Sequence, residues 1–334
     1  MQKLQIYVYL VNQSGKPILF HSKMKRKLQV FPSYTNILIP VICILLIFSC
    51  SSSNDSDGGE EVVTEEEEEV PEETTNFADV DFSNWKITLP VDENNNGSPD
   101  EYQPSQLVDF GYQNLAAVQP FLYDDTSDES LVFYTYPDVT TTNSSYSRTE
   151  LRELINPSNS RENWTLLEGG EMIGKLKVDA VSENNESNDD YHKIIVMQIH
   201  GIISQEDMDT HGFSSNNGPP LIKIYWKDGY VWSHKKSLID ESTDGDDLLE
   251  TSNATWTDIK QNLGYVGFDA FDFRITATDA RIEVQLNNEE AFIYEDVSLD
   301  KWPYENYFKA GNYLNTTNQD AYSYIKYYSL EISH

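Results

Sequence analysis

Ser147-Arg148-Thr149-Glu150-Leu151-Arg152-Glu153-Leu154 holds residue types that can do chemistry at a spacing that brings them together. Read as a β-strand, its side chains alternate, so Arg148, Glu150 and Arg152 share one face and Thr149, Leu151 and Glu153 the other. Two guanidinium forks separated by a carboxylate that can fix them make a reader of anions. The plainer alternative is a ladder of surface salt bridges, worth little to stability.

Two later stretches follow the same alternation. Met197-Gln198-Ile199-His200-Gly201 ends an apolar run, and period two puts Gln198 and His200 on one face with Val196. Tyr307-Phe308-Lys309-Ala310-Gly311-Asn312-Tyr313-Leu314-Asn315 puts Tyr307, Lys309, Gly311 and Tyr313 together. The glycine there marks either close approach of a ligand or a bulge. A lone histidine at a strand end is more often structural, but a Gln–His pair on one face needs partners if that face is covered. Together these residues suit removal of a proton next to a carboxylate. Arg, Gln and His can take up the charge that develops on the acid, and a Tyr or His within reach can move the proton.

Strands must position these groups, and the sequence supplies them. Candidates are Trp85–Leu89, Leu131–Tyr136, Met172–Val181, Lys193–His200, Leu221–Trp226, Tyr230–His234, Phe271–Ala277, Arg281–Leu286, Ala291–Tyr294 and Tyr322–Ile332. Turn signals such as Asp228-Gly229 and Asn287-Asn288 separate them. Many short strands and few helical stripes predict an all-β fold, a β-sandwich of jelly-roll type whose concave face carries a substrate groove. A short helix is expected near Pro104–Asp109 or Trp256–Asn262. Asp92-Glu93-Asn94-Asn95-Asn96-Gly97 begins like a calcium loop, but Gln103 stands where that loop needs a bidentate Glu. It reads as an Asn/Gly turn, and neither metal nor cofactor is expected.

The chain of 334 residues carries a formal net charge of −33. Its first 50 residues hold six Lys/Arg and no acid, which leaves 17 basic against 56 acidic residues beyond them. Such a balance excludes a nucleic-acid partner that needs a basic footprint. Residues 1–50 read as an export signal: Lys23-Met24-Lys25-Arg26-Lys27 is a basic segment, and Met24 is the more natural start. Ile37–Phe48 is an apolar run shorter than the roughly 20 residues of a membrane span. The run ends at Cys50, in a pattern that resembles a bacterial lipoprotein signal whose cysteine is lipidated. A single-pass anchor is the alternative. Cys43 and Cys50 are the two cysteines, so the rest of the chain has no thiol chemistry. Residues 51–76, with acids unbroken from Glu65 to Glu69, read as a solvated, disordered tether. The folded domain is expected over 77–334.

The three stretches resemble the signature segments of the alginate lyases of polysaccharide lyase family seven, in the same order, and Asn84-Trp85-Lys86-Ile87-Thr88-Leu89-Pro90 resembles that family's opening strand. The resemblance covers roughly 77–334 and implies β-elimination on alginate by a jelly roll. It implies that Arg148, Gln198 and His200 neutralise the uronate carboxylate and that Tyr313 protonates the leaving O4. Tyr313 would also take H5 from mannuronate, and His200 would be the base for guluronate. Arg152 and Lys309 would bind neighbouring carboxylates, and Glu150 would orient the arginines. Asn315 stands where the family usually has Gln, one methylene longer, so a substrate contact there is expected to be weaker. Ile199 matches the variant that accompanies guluronate-containing substrate. The expected partner is an anionic polysaccharide, the expected state a monomer, secreted or held at the cell surface or outer membrane by a lipid alone. Two alternatives remain at this point: a non-catalytic carbohydrate-binding lipoprotein, and a lyase for another polyuronate such as glucuronan. The loops Ser182–Tyr191, Ser204–Pro220 and Leu238–Asn253 would decide endo or exo action by closing or leaving open the groove.

Overall fold

The computed structural model describes residues 77–249 and 254–334, together with the backbone of a short antiparallel pairing of Leu10–Val11 with Pro17–Ile18 that belongs to a separate unit. The basic segment, the apolar run ending at Cys50 and the acidic stretch 51–76 lie outside the described residues.

Residues 77–334 form two sheets facing one another. The first runs Trp256–Tyr265, Tyr230–Leu238, Ile222–Lys227, Ile194–Ile202, Glu305–Leu314, Arg148–Glu153, Trp85–Thr88, Glu101–Tyr102, with Trp164–Thr165 also pairing with Glu305–Leu314. The second runs Phe292–Glu295, Arg281–Leu286, Phe271–Thr278, Gly170–Val181, Ser323–Ser333, Ser130–Thr135, Leu122–Asp125, with Asp79–Val80 beside Ser323–Ser333. This is the expected β-sandwich jelly roll. Every pairing is antiparallel except that of Asp79–Val80, so strands far apart in sequence become neighbours.

Alternation sorts the two faces of each strand. Ile87, Leu151, Ile199, Phe308 and Ala310 of the first sheet pack inward against Met172, Leu176, Phe273 and Ile325 of the second. Apolar burial of this kind supplies the main drive for folding, at roughly 25 cal/mol per Å². Two buried polar residues also join the layers. The Tyr327 hydroxyl donates to the Val196 carbonyl at 2.6 Å and accepts from Gly311 N at 3.1 Å. The Asn312 amide donates to the Phe133 and Ser323 carbonyls, both at 2.9 Å.

Two expectations need correction. Trp256–Asn262 is no helix: it lies within the edge strand Trp256–Tyr265, whose backbone is satisfied by antiparallel pairing with Tyr230–Leu238. The expected helix sits at Pro104–Leu107, and a second, Gln205–His211, is capped by Ser204 and ended by Gly212 in the left-handed region. Val196 does not share a face with Gln198 and His200. The register shifts between Ile195 and Met197 against both neighbouring strands, so Val196 joins the core and Ile195 stands opposite Tyr313 and Tyr225. The Asp92 turn closes on itself, its carboxylate accepting from Asn96 N at 2.9 Å and Gly97 N at 2.8 Å.

Candidate active site

The ladder registers place the polar side chains in rows across the outer face of the first sheet. Lys86, Arg152, Lys309, Gln198, Lys223, His234 and Lys260 are successive cross-strand partners. Arg148, Tyr313, Ile195, Tyr225 and Trp232 form a second row. Directly opposed residues share a face, so the three sequence motifs meet. Of the 17 Lys/Arg beyond residue 50, nine stand on this face: Lys86, Arg148, Arg152, Lys193, Lys223, Lys227, Lys236, Lys260 and Lys309. A chain that is acidic overall thus concentrates its positive charge in one groove.

Glu150 is the hub. It is 1% exposed, and its carboxylate takes the Lys309 ammonium, Arg148 Nη1 at 3.1 Å and Gln198 Nε2 at 2.5 Å. Burial works against its charge, yet Lys309, Arg148 and the Gln198 hydrogen bond together hold the carboxyl below its ordinary range. Burial and the Arg148 charge push Lys309 down, against the pull of Glu150. This buried network replaces the surface ladder considered above. Thr149, Leu151 and Glu153 face inward as alternation requires, and Glu153 accepts from Trp164 Nε1 at 2.9 Å and Phe308 N at 2.7 Å.

The two arginines are held differently. The Arg148 guanidinium lies 4.0 Å from the centre of the Tyr313 ring, and that of Arg152 lies 4.2 Å from the centre of the Tyr307 ring. Arg152 Nη2 also donates to Ser160 O at 3.1 Å and Asn163 Oδ1 at 2.8 Å. Arg148 Nε and Arg152 Nη1 are buried with no protein acceptor.

His200 stacks on Tyr307 at 5.4 Å between ring centres, and its Nδ1 lies 2.9 Å from the Gly201 carbonyl. A carbonyl only accepts, so Nδ1 carries the proton and donates. Burial, with help from the Lys309 charge, pushes the imidazole down to about 3. The ring is therefore neutral near pH 7, with Nε2 unprotonated. The Tyr313 hydroxyl lies 2.6 Å from Ser144 Oγ, which already donates to the Tyr146 carbonyl at 2.9 Å; the phenol is thus the donor. Burial raises the Tyr313 phenol, against the opposing charge of Arg148.

Each site residue expected from the three motifs except Asn315 lies in this constellation. Asn315 follows the end of the strand, where its backbone N donates to Lys193 O at 3.0 Å. Sequence reading missed Thr141, Asn143 and Asn217, loop residues that line the groove beside Arg148 and His200. Their signal was weak: Asn143 precedes a Ser-Ser turn, and Asn217 opens Asn-Gly-Pro-Pro. Asn217 brings the Ser204–Pro220 loop to the groove, and His211 ties that loop to the 245–249 turn through Asp246 at 2.8 Å. No group of three or more His, Cys, Asp or Glu side chains among the described residues could hold a metal ion.

Comparison with known proteins agrees with this geometry. The family model described as alginate lyase matches residues 80–334. An alginate lyase of Klebsiella pneumoniae is 26% identical over 297 residues, 76% of this chain and 89% of that protein. Among solved structures, alginate lyase A1-II′ of polysaccharide lyase family 7 is 30% identical with a TM-score of 0.57, covering 78% of this chain and 96% of that one. A variant of that lyase, with a histidine changed to asparagine and a tyrosine to phenylalanine, was solved with substrate (GGMG); it is 27% identical with a TM-score of 0.57 over 76% of this chain and 94% of that one.

Proposed function

The chain belongs to the alginate lyases, in polysaccharide lyase family seven, which break the 1,4-linkage by β-elimination, and from that premise we propose how its groove carries the reaction and which blocks it prefers. Arg148, Gln198 and His200 take up the charge of the uronate carboxylate at the cut. That lowers the cost of the dianion formed when H5 leaves. The convergence of Arg148, Gln198 and His200 beside Tyr313 on one outer sheet face, from three separate strands, is the observation that carries this reading. The Gln198 amide has a second N–H left for the same carboxylate.

For guluronate, H5 and O4 lie on opposite sides, and the two proton carriers divide the work. His200 Nε2 takes H5, and the C5–H electron pair becomes the C4=C5 double bond. The C4–O4 bond breaks, and O4 leaves with the Tyr313 proton. A proton then passes back from His200 to Tyr313 through solvent, and the product carries a 4,5-unsaturated uronate at its new end. The neutral His200 ring and the protonated Tyr313 phenol support these roles. They also support a preference for guluronate-containing substrate. Mannuronate, with H5 and O4 on one side, would need Tyr313 as the base, and burial keeps that phenol protonated. Ile199 is fully buried in the core, so its match to guluronate-preferring relatives acts through no direct contact. Glu150 orients the cations, and Arg152 and Lys309 meet neighbouring carboxylates.

The test is release of ultraviolet-absorbing unsaturated uronate from pure guluronate and pure mannuronate blocks by the wild-type chain and by Tyr313→Phe. Faster release from guluronate, and a loss of about 10²–10⁴ in Tyr313→Phe with an unchanged circular dichroism spectrum, are expected. Undiminished turnover in the variant would reject its role. The leader supports export and lipidation at Cys50; Cys50→Ala should abolish incorporation of labelled fatty acid into the protein, and undiminished labelling would reject that site.

A further inference from the structure

Tyr313 carries the proton that leaves with O4, and a phenol releases its proton only along the direction in which the hydroxyl points. Three groups hold the ring. The Arg148 guanidinium lies 4.0 Å from its centre, the Tyr146 ring tilts against it at 6.3 Å between centres, and Ser144 Oγ meets the hydroxyl at 2.6 Å. Arg148 and Tyr146 fix the ring. Ser144 alone touches the oxygen that does the chemistry, as its one hydrogen-bond partner among the described residues.

Ser144 is itself held in place. It lies in the segment 136–147 that joins Ser130–Thr135 to Arg148–Glu153. Its Oγ donates to the Tyr146 carbonyl at 2.9 Å and accepts from Tyr146 N at 3.2 Å, while its backbone N donates to Thr141 O at 2.9 Å. Asp138 N donates to Ser147 Oγ at 2.7 Å and closes the base of the same segment. A serine hydroxyl has one proton to give and two lone pairs. The loop uses the proton and one lone pair, and the Tyr313 phenol takes the other. Oγ is therefore an acceptor of fixed position, and it aims the phenol's proton in the resting chain.

Cleavage reverses that relation. Once the proton has gone to O4, the phenolate oxygen has nothing to donate, and two facing acceptors repel. Rotation about Cβ–Oγ swings the Ser144 proton from the Tyr146 carbonyl to the phenolate, where the bond is charge-assisted and stronger than the one given up. Ser144 keeps its proton throughout, and no covalent bond forms or breaks at it. The phenolate sits between this hydroxyl and Arg148 until a proton returns from His200. An interaction that strengthens only as charge appears lowers the barrier without tightening substrate binding.

We propose that Ser144 is a positioning residue for the general acid: its hydroxyl aims the Tyr313 proton before the cut and turns to hold the phenolate after it. This rests on the reading of Tyr313 as the acid. Because Ser144 acts through Tyr313, it sets kcat and leaves substrate affinity alone.

The experiment measures kcat and KM of the full chain on guluronate-containing oligomers for wild type, Ser144→Ala, Ser144→Thr, Tyr313→Phe and the double variant Ser144→Ala/Tyr313→Phe. Ser145→Ala, at the exposed neighbouring hydroxyl, is the control. Ser144→Ala should lower kcat about 10- to 100-fold, with KM within about twofold of wild type. Ser144→Thr keeps the hydroxyl and should recover most of the loss, and Ser145→Ala should match wild type. The double variant should be no slower than Tyr313→Phe, since no phenol is left for Ser144 to act on. A loss that threonine does not restore would mark a packing role and overturn the proposal, as would a rise in KM in place of the fall in kcat. Further slowing in the double variant overturns it too. Wild-type kcat in Ser144→Ala beside a crippled Tyr313→Phe rejects the role of Ser144 alone; full turnover in Tyr313→Phe rejects the acid and Ser144 with it.

Discussion

Gly311 lies directly across the ladder from Glu150, and the space a side chain would take there is already filled. An added Cβ would sit 2.6 Å from Thr149 O and 3.0 Å from Glu150 Cα, and the residue has φ of +137°. The close approach puts the carboxylate between Arg148 and Lys309 rather than pushing the two strands apart. Gly311→Ala is expected to cost about 1–3 kcal/mol from backbone strain alone, with the clash added. Gly97→Ala is the control: φ is +85° there too, but nothing lies within 4 Å. Denaturant midpoints should show Gly311→Ala well below Gly97→Ala, and activity should fall only in the former. Equal midpoints would mean the strands absorb the methyl.

Removal of the hub should be more costly. In Glu150→Ala, Arg148 keeps its charge in a buried place without the carboxylate that compensates it, and Lys309, held at about 8 with that carboxylate present, loses the partner that keeps it charged. Breaking such a pair from one side costs about 3–5 kcal/mol. Glu150→Gln keeps the shape and one acceptor, so its loss should be smaller. Urea unfolding of both variants checks this, and a loss below about 1 kcal/mol for Glu150→Ala would refute the hub.

The motifs were legible because period-two alternation alone puts Arg148 with Glu150, Gln198 with His200 and Lys309 with Tyr313. Which strands lie side by side is a matter of long-range register, which no local pattern carries. For that reason the row from Lys223 through His234 to Lys260 was not seen, although the strand Tyr230–His234 was expected. Ile194-Ile195-Val196-Met197 is uniformly apolar, so alternation within it is invisible and the bulge passed unnoticed. Trp256–Asn262 misled because an edge strand with both Ile259 and Lys260 exposed loses the contrast between its faces. Thr141, Asn143 and Asn217 sit on loops, where no period exists to read.

Lys223 gives the groove an alkaline limit. Burial, aided by Lys236 and Arg148 and opposed by Asp258, brings its ammonium down to about 8. It stands next to Gln198 in the row, so its charge helps hold substrate carboxylates. As pH rises through about 8 the charge is lost, and KM on guluronate oligomers should climb. Lys223→Arg keeps its charge at these pH values and should move that rise upward. Identical pH profiles for the two proteins would remove Lys223 from substrate binding.

His334 and Glu153 couple stability to pH in the other layer of the same strand. His334 Nε2 lies 2.5 Å from Glu153 Oε1, and Nδ1 lies 2.9 Å from the Gly169 carbonyl. Burial lowers the imidazole, but the Glu153 hydrogen bond and charge outweigh it, and the net shift is upward. A group whose folded value is raised stabilises fully below its unfolded value of about 6.5 and loses that contribution as pH rises through the folded one. The gap in Tm between wild type and His334→Gln should therefore be widest in mild acid and shrink in alkali. A gap that grows with pH would show the pair to be uncharged.

Salt should act oppositely on short and long substrates. An oligomer that fits within the groove meets nine lysines and arginines, and added salt screens that attraction, so its KM should rise steadily with ionic strength. A long polymer overhangs the groove and meets the acidic body of a chain of net charge −33. At low ionic strength that repulsion extends well past the roughly 10 Å screening length of 0.1 M salt, so cleavage of long alginate should be depressed. Adding salt relieves the repulsion first, because it acts over longer distances than the contacts inside the groove. Rates on long alginate should accordingly rise and then fall as salt is added, while rates on short oligomers only fall. Parallel salt curves for the two substrates would mean that the overhang does not feel the acidic surface.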